Sequence, residues 1–540
     1  MKKLASASVL LFNVFFVFAQ VINNPNDGIY KDIDRWAVQG YITTALPQIR
    51  PYPAQLLDNL LRQVIDRGDP AARQRAVSYQ AAIAPGSRAV HVGVHGTVAG
   101  IDGDATFFGA PTVDGVLRIE PWITGTYELQ VYGSLREPGE EIIVPGTYSP
   151  YGDFILDWAK VGPLTILQNW NSTLALGKEH LYVQSGLNRT SFGPFYDSSI
   201  VVGPQAGRAG HYSLEYRQDW WNFGILFMAI TGTDDFGDGQ FPDKYLMLHT
   251  YDFKPLPNLE FGIFESVVWG GRFEPLYFIP LNQLFAAQSM AGFSDNSFFG
   301  FHFRWLAQPG LQVLSQVYVD DLNFNDLARF HFNTKYKLAA QGGINYLPTG
   351  SSLPDLRFEY TAVMPYMYTH DAGPNEIEPG ETEPYSPRYK PNQPNYFNYT
   401  HRGKNLGTDL EPNSDRLKLS LARALLPELN LTLSGYFTRH GNASEGIAGM
   451  NTEYHDGSVL DDGRKDDGSA TFHYETRFMT QDVIDYRLAG GLGFAWSFPT
   501  DFGVFGAQAD YVLEYGWNRD LEEGDNGLAN YWGLSASWRW

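Results

Sequence analysis

Two neighbourhoods carry the residue types of a hydrolytic pair: His440 with Ser444, and His211 with Ser213. A hydroxyl nucleophile needs an imidazole to take its proton, as in the outer-membrane phospholipases, but closeness in sequence pairs neither couple by itself. His91 and His95 share one strand face, too far apart for a single metal ion, and read as polar lining. The run DDGRKDDG offers Asp461, Asp462, Asp466 and Asp467 to calcium. It lacks the regular spacing and closing Glu of an EF-hand, so it reads as a solvated loop. The sequence shows no catalytic constellation and no metal site, and no cofactor is expected.

Aromatic segments are more suggestive. PNYFNYTHRG and PYMYTHDAG set Tyr, Phe and His beside hydrogen-bonding partners. Sugar rings stack their apolar faces on aromatics while Asn, Asp and Arg take their hydroxyls. Tyr396, Tyr399, His401 and Arg402 are therefore the candidate glycan contacts. The same tyrosines would also suit the aromatic girdle of a membrane barrel. A second group, Glu265, Trp269 and Arg272, lies in ESVVWGGR. A charged pair in a barrel wall usually points inward, so these three are expected to shape a lumen or fix a plug.

The elements that position these residues follow from composition and period. With 540 residues, 15% aromatics and a mean hydropathy of -0.27, the chain is too polar for a bundle of membrane helices yet rich in Tyr, Phe and Trp. It has no cysteine, which excludes disulfides, thiolate metal sites, a cysteine nucleophile and a lipoprotein anchor. A net charge of -21 argues against nucleic acid as a partner. Residues 1–19 read as a signal peptide: Lys2 and Lys3, an apolar stretch to Phe18, and Ala19 at the cleavage site. Residues 20–86 read as a helical bundle or plug on the periplasmic side. There Ile29, Ile33 and Trp36 share one helical face, and Leu56, Leu57, Leu60, Leu61 and Val64 another. Asp69 and Pro70 cap and open a third helix running to about Ala82.

From residue 87 onward the period falls from 3.6 to 2. Val90, Val92 and Val94 alternate with His91, Gly93 and His95; Phe505, Ala507, Ala509, Tyr511 and Leu513 alternate with Gln508, Asp510 and Glu514. The last strand puts Trp532, Leu534, Ala536, Trp538 and Trp540 on one face and Tyr531, Gly533, Ser535, Ser537 and Arg539 on the other. Polar residues recurring through mid-strand suit the wet inside of a barrel, and interfacial tryptophans suit its girdles. About seventeen such segments imply a closed antiparallel barrel of 16–18 strands over residues 87–540. Tight turns (KPLPN, AQPG, LLPEL) alternate with long loops at 371–412 and 441–477. Such a chain is expected in the outer membrane, with lipid outside it and the barrel-assembly machinery reading the C-terminal strand that ends at Trp540.

A family resemblance adds to this reading. YTHRGKNLGTDLEPNSDRLKL (Tyr399 to Leu419) resembles the Y-x-H-x-G…LG…SD segment of the Wzi family of capsule-assembly outer-membrane proteins. RFEYTAVMPYMYTH, FESVVWGGRFEPLYFIPLNQ, FSDNSFFGFHFRW and LALGKEHLYVQSG are similar to that family in order and spacing, across most of residues 26–540. The resemblance implies an eighteen-stranded barrel with a helical bundle at its periplasmic side. It also implies a lectin and not an enzyme, holding capsular or exopolysaccharide at the cell surface. The acidic, Pro-rich stretch at 371–395 departs from the pattern, and no glycan contact carries over by position. Two other roles fit the residues: a porin-like channel gated by the N-terminal helices, and a structural envelope anchor.

Overall fold

The computed structural model describes residues 24–540 except 84–88, 121, 137–141, 147–158, 232–243, 293–294, 323–327, 330–335, 351–352, 371–394, 427, 451–455 and 462–477. The expected signal peptide, the acidic stretch at 371–394, and Asp462, Asp466 and Asp467 lie outside the described residues.

Three helices open the chain: α1 (Gly28–Val38), α2 (Ala54–Arg67) and α3 (Pro70–Ala82). The Asp27 side chain caps α1 by accepting from Ile29 N, and Asp69 caps α3 through Ala72 N. Ile29, Ile33, Trp36, Leu57, Leu60, Leu61 and Val64 form their shared core.

The barrel strands follow. They are β1 (Ala89–Ile101), β2 (Asp104–Glu120), β3 (Ile123–Ser134), β4 (Leu164–Lys178), β5 (Leu181–Asn188) and β6 (Ala209–Arg217). Next come β7 (Trp221–Ile230), β8 (Lys244–Leu256), β9 (Leu259–Gly270), β10 (Asn296–Gln308), β11 (Leu311–Leu322) and β12 (Tyr336–Tyr346). The last are β13 (Asp355–Val363), β14 (Ser414–Leu426), β15 (Leu429–Gly441), β16 (Ile484–Thr500), β17 (Gly503–Trp517) and β18 (Gly527–Arg539). Each pairs antiparallel with the next, and β18 pairs with β1 to close the ring. Among the described residues this is an eighteen-stranded barrel, at the upper end of the sequence expectation. A closed ladder leaves no unpaired edge, which is what lets a sheet stand in lipid.

The faces are those the period predicts. Val90, Val92, Val94, Tyr511, Leu513 and Leu534 are exposed on the outer wall. On the inner wall, Arg539 binds Asp114, His91 contacts the same carboxylate, and Thr97 meets Ser535 across the closing seam. One mouth has short turns, including residues 257–258, 309–310 and 501–502, and an aromatic ring of Trp220, Trp305, Trp496, Phe502 and Trp540. The other mouth carries the long loops.

The lumen is not uniformly wet, which corrects the sequence expectation. Along β7–β13 the inward side chains Leu226, Met228, Leu246, Leu248, Phe264, Val268, Phe298, Tyr318 and Ala339 are apolar or aromatic and buried. They face protein that fills the barrel.

Candidate functional site

Helices α1–α3 close the short-turn mouth. Gly310 N donates to Val38 O at 2.7 Å, Lys254 Nζ to Thr43 O at 2.7 Å and Arg217 Nη2 to Ala45 O at 2.7 Å. Arg35 pairs with Asp355 and Asn59 with Glu179 at the same rim. A polar cleft opens between the helices and the wall, lined by Lys254, Glu260, Arg304, Gln312, Asn345 and Arg357 among others.

Between α1 and α2 the chain runs up into the lumen. Ile49–Arg50 forms a two-residue antiparallel ladder with Ser191–Phe192, part of the long loop between β5 and β6. Gly193 N donates to Gln48 O at 3.0 Å and Thr190 Oγ1 to Arg50 O at 2.6 Å, extending the seam. The Arg50 guanidinium is buried between the rings of Tyr30 and Tyr52 and is neutralised by Asp34.

The upper half of the filling comes from the loop between β13 and β14. Gly203 N donates to Leu406 O at 2.8 Å, Gln205 Nε2 to Gly407 O at 2.7 Å, and Tyr368 Oη to Ile200 O at 2.6 Å. Tyr399 is 0% exposed: it stacks on Tyr368 (centroids 5.5 Å, interplanar 26°) and meets Phe298 and Tyr318 edge-on. Tyr366, Tyr368 and Arg402 hold positive φ of 57°, 73° and 54°. That backbone costs an L-residue about 1–2 kcal/mol each, so the packed rings must impose it.

The four candidate glycan residues thus separate. Tyr399, His401 and Arg402 are buried. His401 Nδ1 accepts from Thr231 N at 3.0 Å, which places its proton on Nε2, donated to Arg208 O at 3.0 Å. Arg402 Nη2 also reaches Arg208 O, at 3.3 Å. His401 and Arg402 lock the loop to the start of β6, while Tyr399 packs against the rings of β10 and β11. Tyr396 is half-buried at the long-loop mouth, with Phe397 and His370, whose rings lie 5.6 Å apart. Asn395 fixes this corner: its Oδ1 accepts from Phe397 N and Asn398 N, and its Nδ2 donates to His370 O.

Trp269 Nε1 donates to Arg272 O at 3.1 Å, Glu265 stands apart from both, and the strand face it shares with Trp269 is not the lumen's. On β9 the inward side chains are Phe264, Ser266 and Val268. Glu265 and Trp269 therefore lie on the outer face with the exposed Phe261 and Ile263. The correction has a physical reason: residues 275–290 fold down the outside of the barrel and bury Trp269 against Tyr277. Glu265 faces that segment too, toward the backbone N–H groups of Leu284 and Phe285. Arg272 binds Asp295 through both terminal nitrogens, at 2.9 and 2.6 Å.

The pair His440 and Ser444 resolves differently from its order in sequence. His440 Nδ1 lies 2.8 Å from Ser414 Oγ across the β14–β15 ladder, whereas Ser444 bonds Tyr366 and Asp461. Asp485, opposite His440 on β16, is engaged by Arg487 and by Asp520 N. Asp461 is buried and accepts from Ser444 Oγ and Gly457 N, so it serves as a loop brace.

The sequence reading missed residues 189–208, the hinge of the whole filling. A signal was present in WNFGILFMAI on β7, apolar on both faces where its neighbours alternate. Such a run marks a strand buried on both sides, here by residues 275–290 outside and by the inner loop.

The structure of Wzi from Escherichia coli, described as an outer membrane protein involved in group 1 capsule assembly and a carbohydrate-binding β-barrel, is similar over 96% of this chain and 99% of that one, with a TM-score of 0.56 and 14% identity. At that identity the likeness speaks to the fold alone. Pseudomonas aeruginosa OccD3 aligns over 84% of this chain and 90% of its own at 9% identity and a TM-score of 0.44. No curated protein matches the sequence. The model of the capsule assembly protein Wzi family matches residues 219–526, more than half the chain, from β7 through the loop before β18. The chain belongs to the Wzi family of capsule assembly proteins.

Proposed function

We propose that this barrel holds capsular or exopolysaccharide at the cell surface by non-catalytic binding. The observation that carries the reading is the filled lumen: helices enter from one mouth, loops from the other, and they join in a continuous backbone ladder at Arg50 and Ser191. A barrel packed this way serves as a platform, not a conduit. The short-turn mouth faces the periplasm and the long-loop mouth the exterior, as in other outer-membrane barrels. Lipid surrounds the apolar wall, and the assembly machinery engages the last strand at Trp540.

The half-buried rings of Tyr396, Phe397 and His370 then form the stacking surface for sugar. Tyr399, His401 and Arg402 support it from beneath, and Asn395 fixes its geometry. Binding of the purified barrel to an array of bacterial surface polysaccharides tests this reading. Tyr396→Ala should weaken the best ligand about tenfold, the order of one lost aromatic stack. Absence of binding to every capsular and exopolysaccharide on the array would refute it.

A further inference from the structure

We infer that residues 271–292 form a strap lying in the outer leaflet of the membrane, its outward side chains among lipid acyl chains and its inner edge pinned to the wall by His249 and Glu265. Leaving β9, the chain does not rise into water; it doubles back down the outside of the barrel. Tyr277, Leu284 and Ala287, all fully buried, cover Phe223, Ile225, Met247, Val267 and Trp269, a patch that would otherwise face lipid.

His249 and Glu265 are direct cross-strand partners on this outer face, five residues below the upper ends of β8 and β9. Ionisable groups facing hydrocarbon are costly, so their presence on the wall needs a partner. His249 Nδ1 donates to Asn282 O at 3.1 Å, and the Glu265 carboxylate faces the backbone N–H groups of Leu284 and Phe285 at the start of α4 (Leu284–Met290). Asp295 closes the far end, binding Arg272 and the Tyr277 hydroxyl while its carbonyl accepts from Gln288. The strap is therefore docked to the wall by polar contacts at its edges and an apolar interface beneath.

Among the described residues its other side has no such cover. Phe273, Ile279, Leu281, Phe285 and Met290 are between 48% and 78% exposed. The segment PLYFIPLNQLFAAQSMAG, Pro275 to Gly292, contains no Asp, Glu, Lys, Arg or His. In water such a patch would be a liability; continuous with the lipid-facing Phe261 and Ile263, it is satisfied by acyl chains.

The absence of cysteine makes the test clean. Spin labels on Phe285→Cys and Met290→Cys, in phosphatidylcholine liposomes, are compared with Leu492→Cys on the open wall and Glu523→Cys on an exposed loop. The strap labels should collide with a water-soluble nickel chelate about fivefold less often than the Glu523 label, and with oxygen as often as the Leu492 label. Nickel access equal to that at Glu523 would overturn the proposal. Dipolar broadening that vanishes on dilution with unlabelled protein would overturn it too, assigning the surface to a second copy. Glu265→Ala should raise nickel access at position 285 while heat-modifiable gel mobility, the mark of a folded barrel, stays unchanged; Glu265→Gln, which keeps an acceptor oxygen, should not. Unaltered access in Glu265→Ala would refute the pinning role.

Discussion

Nη2 of Arg50 lies 2.8 Å from both carboxylate oxygens of Asp34, inside the barrel and with almost no exposure to water. The pair ties helix α1 to the ladder that carries the inner loop, so the periplasmic and the outer fillings share one electrostatic joint. Removing one partner leaves a buried, uncompensated charge, which costs about 3–5 kcal/mol. Asp34→Ala should therefore make residues 24–83 sensitive to limited trypsin in detergent micelles while the barrel keeps its heat-modifiable mobility. Resistance equal to that of the native chain would show that the joint contributes little.

A second tie is pH-dependent. Burial pushes the Asp197 carboxyl up, but the Lys418 ammonium at 3.0 Å and the Arg357 guanidinium outweigh it and hold the group well below the usual carboxylate range. A depressed carboxylate pKa stabilises the folded state above the unfolded value of about 3.9, and that contribution fades as pH falls below it. Asp197→Asn should lower urea resistance at pH 7, and the gap from the native chain should narrow steadily below about pH 4. A gap independent of pH would place the effect in packing.

Tyr396 and Tyr399 should part company experimentally. Truncating the buried ring in Tyr399→Ala removes its contacts with Tyr368, Phe298 and Tyr318 and should destabilise the outer filling by about 3–5 kcal/mol, read as faster hydrogen exchange across residues 395–413. Tyr396→Ala should leave exchange unchanged and affect glycan binding alone.

Conductance in planar bilayers distinguishes one filling from two. Deleting residues 24–83 alone should keep the pore closed, because the loops joined through Gly203–Leu406 and Tyr368–Ile200 remain in the lumen. Deleting residues 24–83 together with 395–407 should open it. A large current from the first deletion would mean that the outer loops do not seal.

The outer wall was readable because lipid on one side and protein or water on the other impose a strict period of two. Phe505, Tyr511 and Leu513, or Trp538 and Trp540, could be assigned to faces from their order alone. The interior was less readable. Tyr399 has the neighbours of a surface loop in sequence, yet it is buried by Tyr368 and Phe298, which are distant along the chain. Glu265 looked like a lumen charge because the rule that charge points inward assumes nothing covers the outside; the backbone of α4 supplies that cover. The helical prefix was legible down to the Asp69 cap, since local spacing alone determines it.

The seam between β1 and β18, where Val92 and Trp540 exchange both backbone hydrogen bonds, carries a consequence for biogenesis. The strand that shuts the ring is the last of the eighteen to be synthesised, so both halves of the inner ladder, Ile49–Arg50 and Ser191–Phe192, are made before the wall can close. Zipping the final hairpin therefore encloses segments that already have each other at hand.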